Sequence, residues 1–214
     1  MAVASYLERY RYRRYSLFRW RYKLGVSQKL GLALALAAVT GLVAQLRVPL
    51  PFTPVPITGQ VFAVLLTGVL LGRWYGGLSM GLYAAIGGAG VGWFAGWNGG
   101  LSSLTGATGG YILGFVVAAF AIGWLTDRYV SVRSFFPLLV LMLIGVGIIY
   151  LFGAVWLSIV LGTSLTKTLS LAVLPFIPLD LAKAAAVAGV AYALLPKAAY
   201  NGEVDSVRYL GRRF

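Results

Sequence analysis

LPFIPLDLAKAAAVAGVAYALL, residues 174–195, places an acid and a base inside an otherwise apolar run: Asp180 and Lys183. Three residues apart on a helix, the two side chains leave from one face, so they can meet each other or jointly meet one ligand. Pro175 and Pro178 mark the start of that helix, because a proline fits the first turn, where its missing N–H has no intrahelical partner anyway. From 179 to 195 the run is long enough for most of a membrane crossing. Ionisable groups in such a segment are expensive and usually face an interior cavity that serves a function. The alternative is a structural ion pair that locks the last helix into its bundle.

Composition points the same way. Of 214 residues, 60% are hydrophobic and only 11% charged, and the mean hydropathy is +0.86, which is the composition of an integral membrane protein. The chain holds no Cys and no His, so thiol nucleophiles, histidine acid–base chemistry and the usual zinc sites are excluded, and no metal site is expected. The long apolar runs lack the strict alternation of barrel strands, which makes the fold class all-α.

Five more apolar runs precede the quoted one, at 30–46, 61–71, 76–89, 110–125 and 134–161, giving a six-transmembrane-helix bundle. Counted with alternate connections on opposite sides, 15 Lys and Arg fall on the side of the two termini and only Arg47 and Lys167 on the other. The positive-inside rule then makes both termini cytoplasmic. Residues 1–29 form a basic, aromatic cytoplasmic extension, 30–196 the membrane domain and 197–214 a basic cytoplasmic tail. The extension is expected to hold the N-terminus inside with aromatic rings at the lipid headgroups. Nucleic acid is not an expected partner, since no RNA-binding module follows.

Two loops share the outer side with the start of the last helix. VPLPFTPVPITGQ, residues 48–60, has four prolines at spacings that neither helix nor strand accepts. Irregular chain at membrane depth must line a cavity or be buried in protein, so this segment either caps a site or lies outside the bilayer. GVGWFAGWNGGLSSLTGATGG, residues 90–110, is uncharged and glycine-rich, which allows close approach to a ligand, or it is an ordinary loop with an interfacial aromatic belt.

The segments PFTPVPITGQVFAVLLTGVLLG (51–72), LYAAIGGAGVGWFAG (82–96), GATGGYILGF (106–115) and PFIPLDLAK (175–183) resemble, in this order and spacing, the BioY family. Its members are the biotin-specific S components of energy-coupling factor transporters. The chain departs from the family at Gly92 and Ala107, where proline is usual, and the extension 1–29 lies outside the resemblance. The resemblance implies a multi-pass cell-membrane subunit, plasma or inner, that captures biotin from outside. It also implies partners: a transmembrane coupling protein and ATPase subunits, although some members work alone. No G-x-x-x-x-G-K-[ST] loop is present for ATP hydrolysis by this chain itself.

Biotin has a planar ureido group, an apolar sulfur ring and a carboxylate. Asp180 is suited to accept from the ureido N–H groups and Lys183 to donate to a carbonyl or carboxylate. Gln60, Thr58, Asn98 and Tyr111 add neutral polarity, Trp93 and Phe94 flat apolar surface, and Gly99 and Gly100 close backbone approach, in keeping with pockets that are mostly apolar. No cofactor is expected, and no enzyme activity, because no nucleophile, metal cluster or nucleotide motif accompanies the pair. A structural membrane subunit or adaptor without transport activity is the other reading. In the first helix Ala33, Ala37 and Gly41 form a small-residue stripe; small stripes let helices approach closely in lipid, either within this protein's own bundle or against another chain. The resemblance makes this stripe the expected docking surface for the coupling protein.

Overall fold

The computed structural model describes residues 2–209, without the side chains of 2–4 and 165. Arg212 and Arg213, counted above with the cytoplasmic charges, lie outside the described residues. Helix α1 (Ala2–Lys23) is followed by α2 (Val26–Val43), the paired strands β1 (Arg47–Val48) and β2 (Ile57–Thr58), α3 (Gln60–Gly88) and the short α4 (Leu101–Thr105). Then come α5 (Gly109–Arg128), α6 (Phe135–Leu161), α7 (Leu165–Ala172) and α8 (Ile177–Leu194). Among the described residues, five helices are long and apolar enough to cross a membrane: α2, α3, α5, α6 and α8.

The apolar runs at 61–71 and 76–89 belong to α3, which bends at Gly72, where φ is 76° and ψ −175°. Only glycine adopts that backbone without strain. The bend is a reversal. A Cβ placed on Gly76 would sit 3.1 Å from the Gly68 Cα, whereas eight residues of straight helix would separate the two by about 12 Å. Gly68 also meets α5, since its Cβ would come 2.7 Å from the Ala119 carbonyl oxygen. Small residues thus bring both arms of α3 and α5 together at backbone distance, the packing that holds helices in lipid.

The bundle has two ends. At the mouth end sit residues 48–58, the glycine-rich loop, α7 and the start of α8. β1 and β2 clip the proline loop at its base, pairing Arg47 with Thr58 and Val48 with Ile57, while the prolines between them remain irregular. At the terminal end sit α1, the Gly72 turn, the connection from α5 to α6 and the tail.

The two outer segments are more structured than the sequence suggests. α1 is docked rather than merely lying at the headgroups: Phe18 is 2% exposed, and its ring packs on Tyr200 at 5.8 Å. Tyr10 donates its hydroxyl to the Ala193 carbonyl (2.6 Å), and Arg14 donates to the carbonyls of Tyr192 and Ala193 (both 3.2 Å), covering the open C-terminal end of α8 as basic side chains do. The tail folds back through Glu203, which with Arg133 forms a fully buried ion pair at 2.7 Å. Arg133 also donates to the carbonyls of Thr126, Pro196 and Ala198, so its burial is compensated by hydrogen bonds.

Ala33, Ala37 and Gly41 call for a correction. Ala33 and Ala37 are fully buried, Ser79 donates its hydroxyl to the Ala33 carbonyl (2.7 Å), and a Cβ on Gly41 would lie 2.8 Å from the Cβ of Trp93. The small stripe packs inside this protein's own bundle, against α3 and the glycine-rich loop. Backbone proximity is the reason, because α3 and Trp93 lie along the stripe and cover it from within the chain.

Candidate functional site

A cavity opens at the mouth end, with about 600 Å³ of atom-free space, part of it continuous with the surroundings. Its walls are apolar, built by Val55 of the proline loop, Phe94 of the glycine-rich loop, Ile112 and Phe115 of α5, Ile149 of α6 and Phe176 ahead of α8. A few polar groups converge on it, as in small-molecule sites generally.

The centre of that polarity is on α8. Lys183 Nζ donates to Asp180 Oδ1 at 2.7 Å and to the Thr58 carbonyl at 2.7 Å. Tyr150 of α6 donates its hydroxyl to Asp180 Oδ2 at 2.7 Å. Pro178 is the second residue of the helix, two before Asp180, which places the carboxylate in its first turn, where the helix dipole favours negative charge. Both carboxylate oxygens are engaged, yet each retains lone pairs, and the ammonium retains one of its three protons for a ligand. The pair is enclosed, with side chains 5% and 19% exposed for Asp180 and Lys183.

A second network fixes the roof. Gln60 accepts the Thr58 hydroxyl (2.9 Å) and donates to the Tyr83 hydroxyl (2.7 Å), which donates to the Trp93 carbonyl (3.2 Å). The Trp93 indole N–H returns to the Tyr83 carbonyl (2.9 Å), and the two rings stack at 5.5 Å. Gln45, just after α2, holds the loop from behind, accepting from Gly96 and Trp97 and donating to the Phe94 carbonyl. The glycine-rich loop is therefore a tied lid rather than a loose belt.

Of the residues singled out in the sequence, Asp180, Lys183, Gln60, Thr58, Tyr111 and Phe94 line this one cavity. Tyr111 donates its hydroxyl to the Ala172 carbonyl (2.7 Å). The structure does not bring the other four to the wall. Trp93 packs on Tyr83, and Asn98 is exposed, its amide donating to the Ala95 carbonyl (2.8 Å). Gly99 crowds the backbone of Val91, and Gly100 turns the chain into α4 with φ 85°. Sequence reasoning missed Tyr150, although a signal existed: it carries the one hydroxyl in the apolar stretch 135–157. Among the described residues no group of three His, Cys, Asp or Glu side chains could hold a metal ion.

Comparison with known proteins joins this geometry to a family. The chain is 43% identical over 159 residues to a probable biotin transporter BioY of Methanothermobacter thermautotrophicus, covering 69% of this chain and 99% of that one. It is 37% identical over 147 residues to the biotin transporter BioY of Thermotoga maritima, covering 69% and 85%. Its fold is similar to a crystal structure of the S component for biotin from an ECF-type ABC transporter, with a TM-score of 0.73 and 29% identity over 80% of this chain and 94% of that one. The BioY family profile matches residues 16–200, so the match takes in the second half of the segment 1–29, which the sequence resemblance had left outside. A multi-pass membrane bundle with this cavity, matched over that length, belongs to the BioY family.

Proposed function

We propose that this protein is the substrate-binding membrane subunit of a biotin uptake system in the cell membrane. It captures biotin from the outer side and releases it inward, driven by an energy-coupling factor module or working alone. The observation that carries this reading is the Asp180–Lys183–Tyr150 cluster, set in an otherwise apolar cavity at the mouth of a BioY-family bundle. A ureido group supplies two N–H donors and one acceptor, which suits a carboxylate beside an ammonium, while the sulfur ring suits Phe94, Phe115 and Ile149. Binding needs no cofactor in this scheme.

Counting the two arms of α3 separately, we propose six crossings with both termini cytoplasmic, supported by the 15-to-2 distribution of basic residues. The mouth then faces outward. Partners for energised uptake would be a transmembrane coupling protein and ATPase subunits, since this chain has no phosphate-binding loop of its own. Their contact with α2 would use its outward face, where Leu34 and Leu42 are exposed, rather than the buried stripe. A structural adaptor would have no use for a charged pair opening into a cavity.

The test is equilibrium dialysis of the purified chain against labelled biotin. One biotin retained per chain and recovered chemically unchanged supports the reading. Absence of retention by folded protein, or conversion of the label to a new species, refutes it.

A further inference from the structure

A second groove lies at the terminal end, far from the cavity described above, with about 960 Å³ of atom-free space, partly open. Four cations from four separate segments border it: Arg21 of α1, Lys29 of α2, Arg73 just after the Gly72 turn and Arg128 at the end of α5. The one acid on its wall is Asp127. That carboxylate is already taken, by the Arg21 guanidinium (2.7 Å) and by the Arg73 backbone N–H (3.2 Å). Lys29, Arg73 and Arg128 form no ion pair among the described residues. Lys29 donates to the Tyr22 carbonyl (3.0 Å), and the Arg73 guanidinium lies over the Trp74 ring at 5.4 Å.

Three uncompensated like charges around one groove repel one another until an anion enters. The remaining wall says which kind of anion. Trp74 and Trp124, on helices that cross the membrane, are 64% and 40% exposed, and Leu71 lies beside them. Exposed indoles of this sort sit at the membrane–water boundary. A free phosphate or nucleotide would use the cations and leave this apolar wall idle, whereas a phospholipid would use both.

We propose that this groove binds the phosphate of an anionic phospholipid, with Lys29, Arg73 and Arg128 around the headgroup and Trp74 and Trp124 along its chains. Basic pockets between membrane helices recognise anionic headgroups in this way. The bound lipid would bridge α2, α3 and α5 where α1 meets the bundle through the Arg21–Asp127 pair. The inference stands independently of what the mouth cavity binds.

The test is native mass spectrometry of the full chain in detergent, exchanged against equal amounts of phosphatidylglycerol and phosphatidylcholine. The wild type should retain phosphatidylglycerol with a preference above about ten-fold, and each cation removed should lower it roughly five-fold. Lys29→Gln/Arg73→Gln/Arg128→Gln should therefore abolish the preference, while Arg9→Gln/Arg11→Gln/Arg13→Gln, equal in charge but away from the groove, should keep it. Should the triple groove variant fail to fold, Arg128→Gln alone, at an exposed helix end, must still lower the preference. Equal retention of both lipids by the wild type would overturn the proposal, as would a preference that survives in the groove variants or is lost in the α1 variant. Binding of millimolar inorganic phosphate without any lipid preference would make this a free-anion site and overturn the lipid assignment.

Discussion

Replacing Lys183 by Met should damage the protein in two separable ways. The Asp180 side chain is 5% exposed and exchanges one of its two strong hydrogen bonds with the Lys183 ammonium. Removing one partner of a buried pair leaves the other charge uncompensated, at a cost of about 3–5 kcal/mol. At ~2–4 °C per kcal/mol for a chain of this size, the melting temperature in detergent should fall by on the order of 10 °C. Asp180→Asn removes the other partner and should also destabilise, though less, because Lys183 keeps the Thr58 carbonyl at 2.7 Å and reaches the cavity opening. The double variant, Asp180→Asn/Lys183→Met, removes both charges and should recover most of the lost stability.

Biotin affinity separates a binding site from a strut. If the pair meets the ligand, each single variant loses a charged hydrogen bond of about 1.5–3 kcal/mol, a rise in Kd of about 10- to 150-fold. The double variant must stay at least as weak while its melting temperature returns. Isothermal titration calorimetry and thermal unfolding on the same four preparations supply both axes. A double variant that binds biotin with wild-type affinity would refute the assignment and leave Asp180 and Lys183 as a structural ion pair.

Other consequences can be checked singly. With no native cysteine, Ser102→Cys in the mouth loop should react with an impermeant thiol reagent on intact cells and Val207→Cys in the tail should not; the reverse would invert the proposed orientation. Ala37→Leu places a larger side chain where the wild-type residue is 0% exposed, so overpacking should lower stability by about 1–3 kcal/mol in thermal unfolding of the isolated subunit; unchanged stability would return the stripe to the surface. Burial pushes the Asp205 carboxyl up, but the backbone N–H groups of Ser131 and Val130 outweigh it and hold the group below the usual carboxylate range. A depressed acid contributes stability above that range and loses it as pH falls, so the melting-temperature difference between wild type and Asp205→Ala should be constant from neutral pH to about pH 5 and shrink progressively as pH falls below about 4.

Much of the site was legible because its chemistry is rare in its surroundings. An acid and a base in an apolar helix stand out in any reading, and the structure places Asp180 and Lys183 on a cavity wall with Gln60 and Thr58, more than a hundred residues earlier. Tyr150 was harder, since a tyrosine in a hydrophobic helix is as often an interfacial anchor as a hydrogen-bond donor, and only the packing of α6 on α8 brings its hydroxyl to Asp180. The glycine-rich loop misled for a different reason. Its composition announces an unusual backbone but not which side chains point inward, so Phe94 lines the cavity while its neighbour Trp93 stacks on Tyr83.

The fold shows the same division between what periodicity states and what it leaves open. Apolar run lengths locate the helices, and Gly72-Arg73 interrupts one of them, yet nothing local says that Gly68 and Gly76 will touch. The stripe of Ala33, Ala37 and Gly41 makes the point most sharply. Small residues at four-residue spacing state that another helix comes close, and that much is so: α3 lies against them, with Ser79 donating to the Ala33 carbonyl. A one-dimensional pattern carries no information on whether the approaching helix belongs to the same chain or to another. Only the position of the rest of the bundle decides it, and here the closing of α3 at Gly72 supplies the neighbour from within.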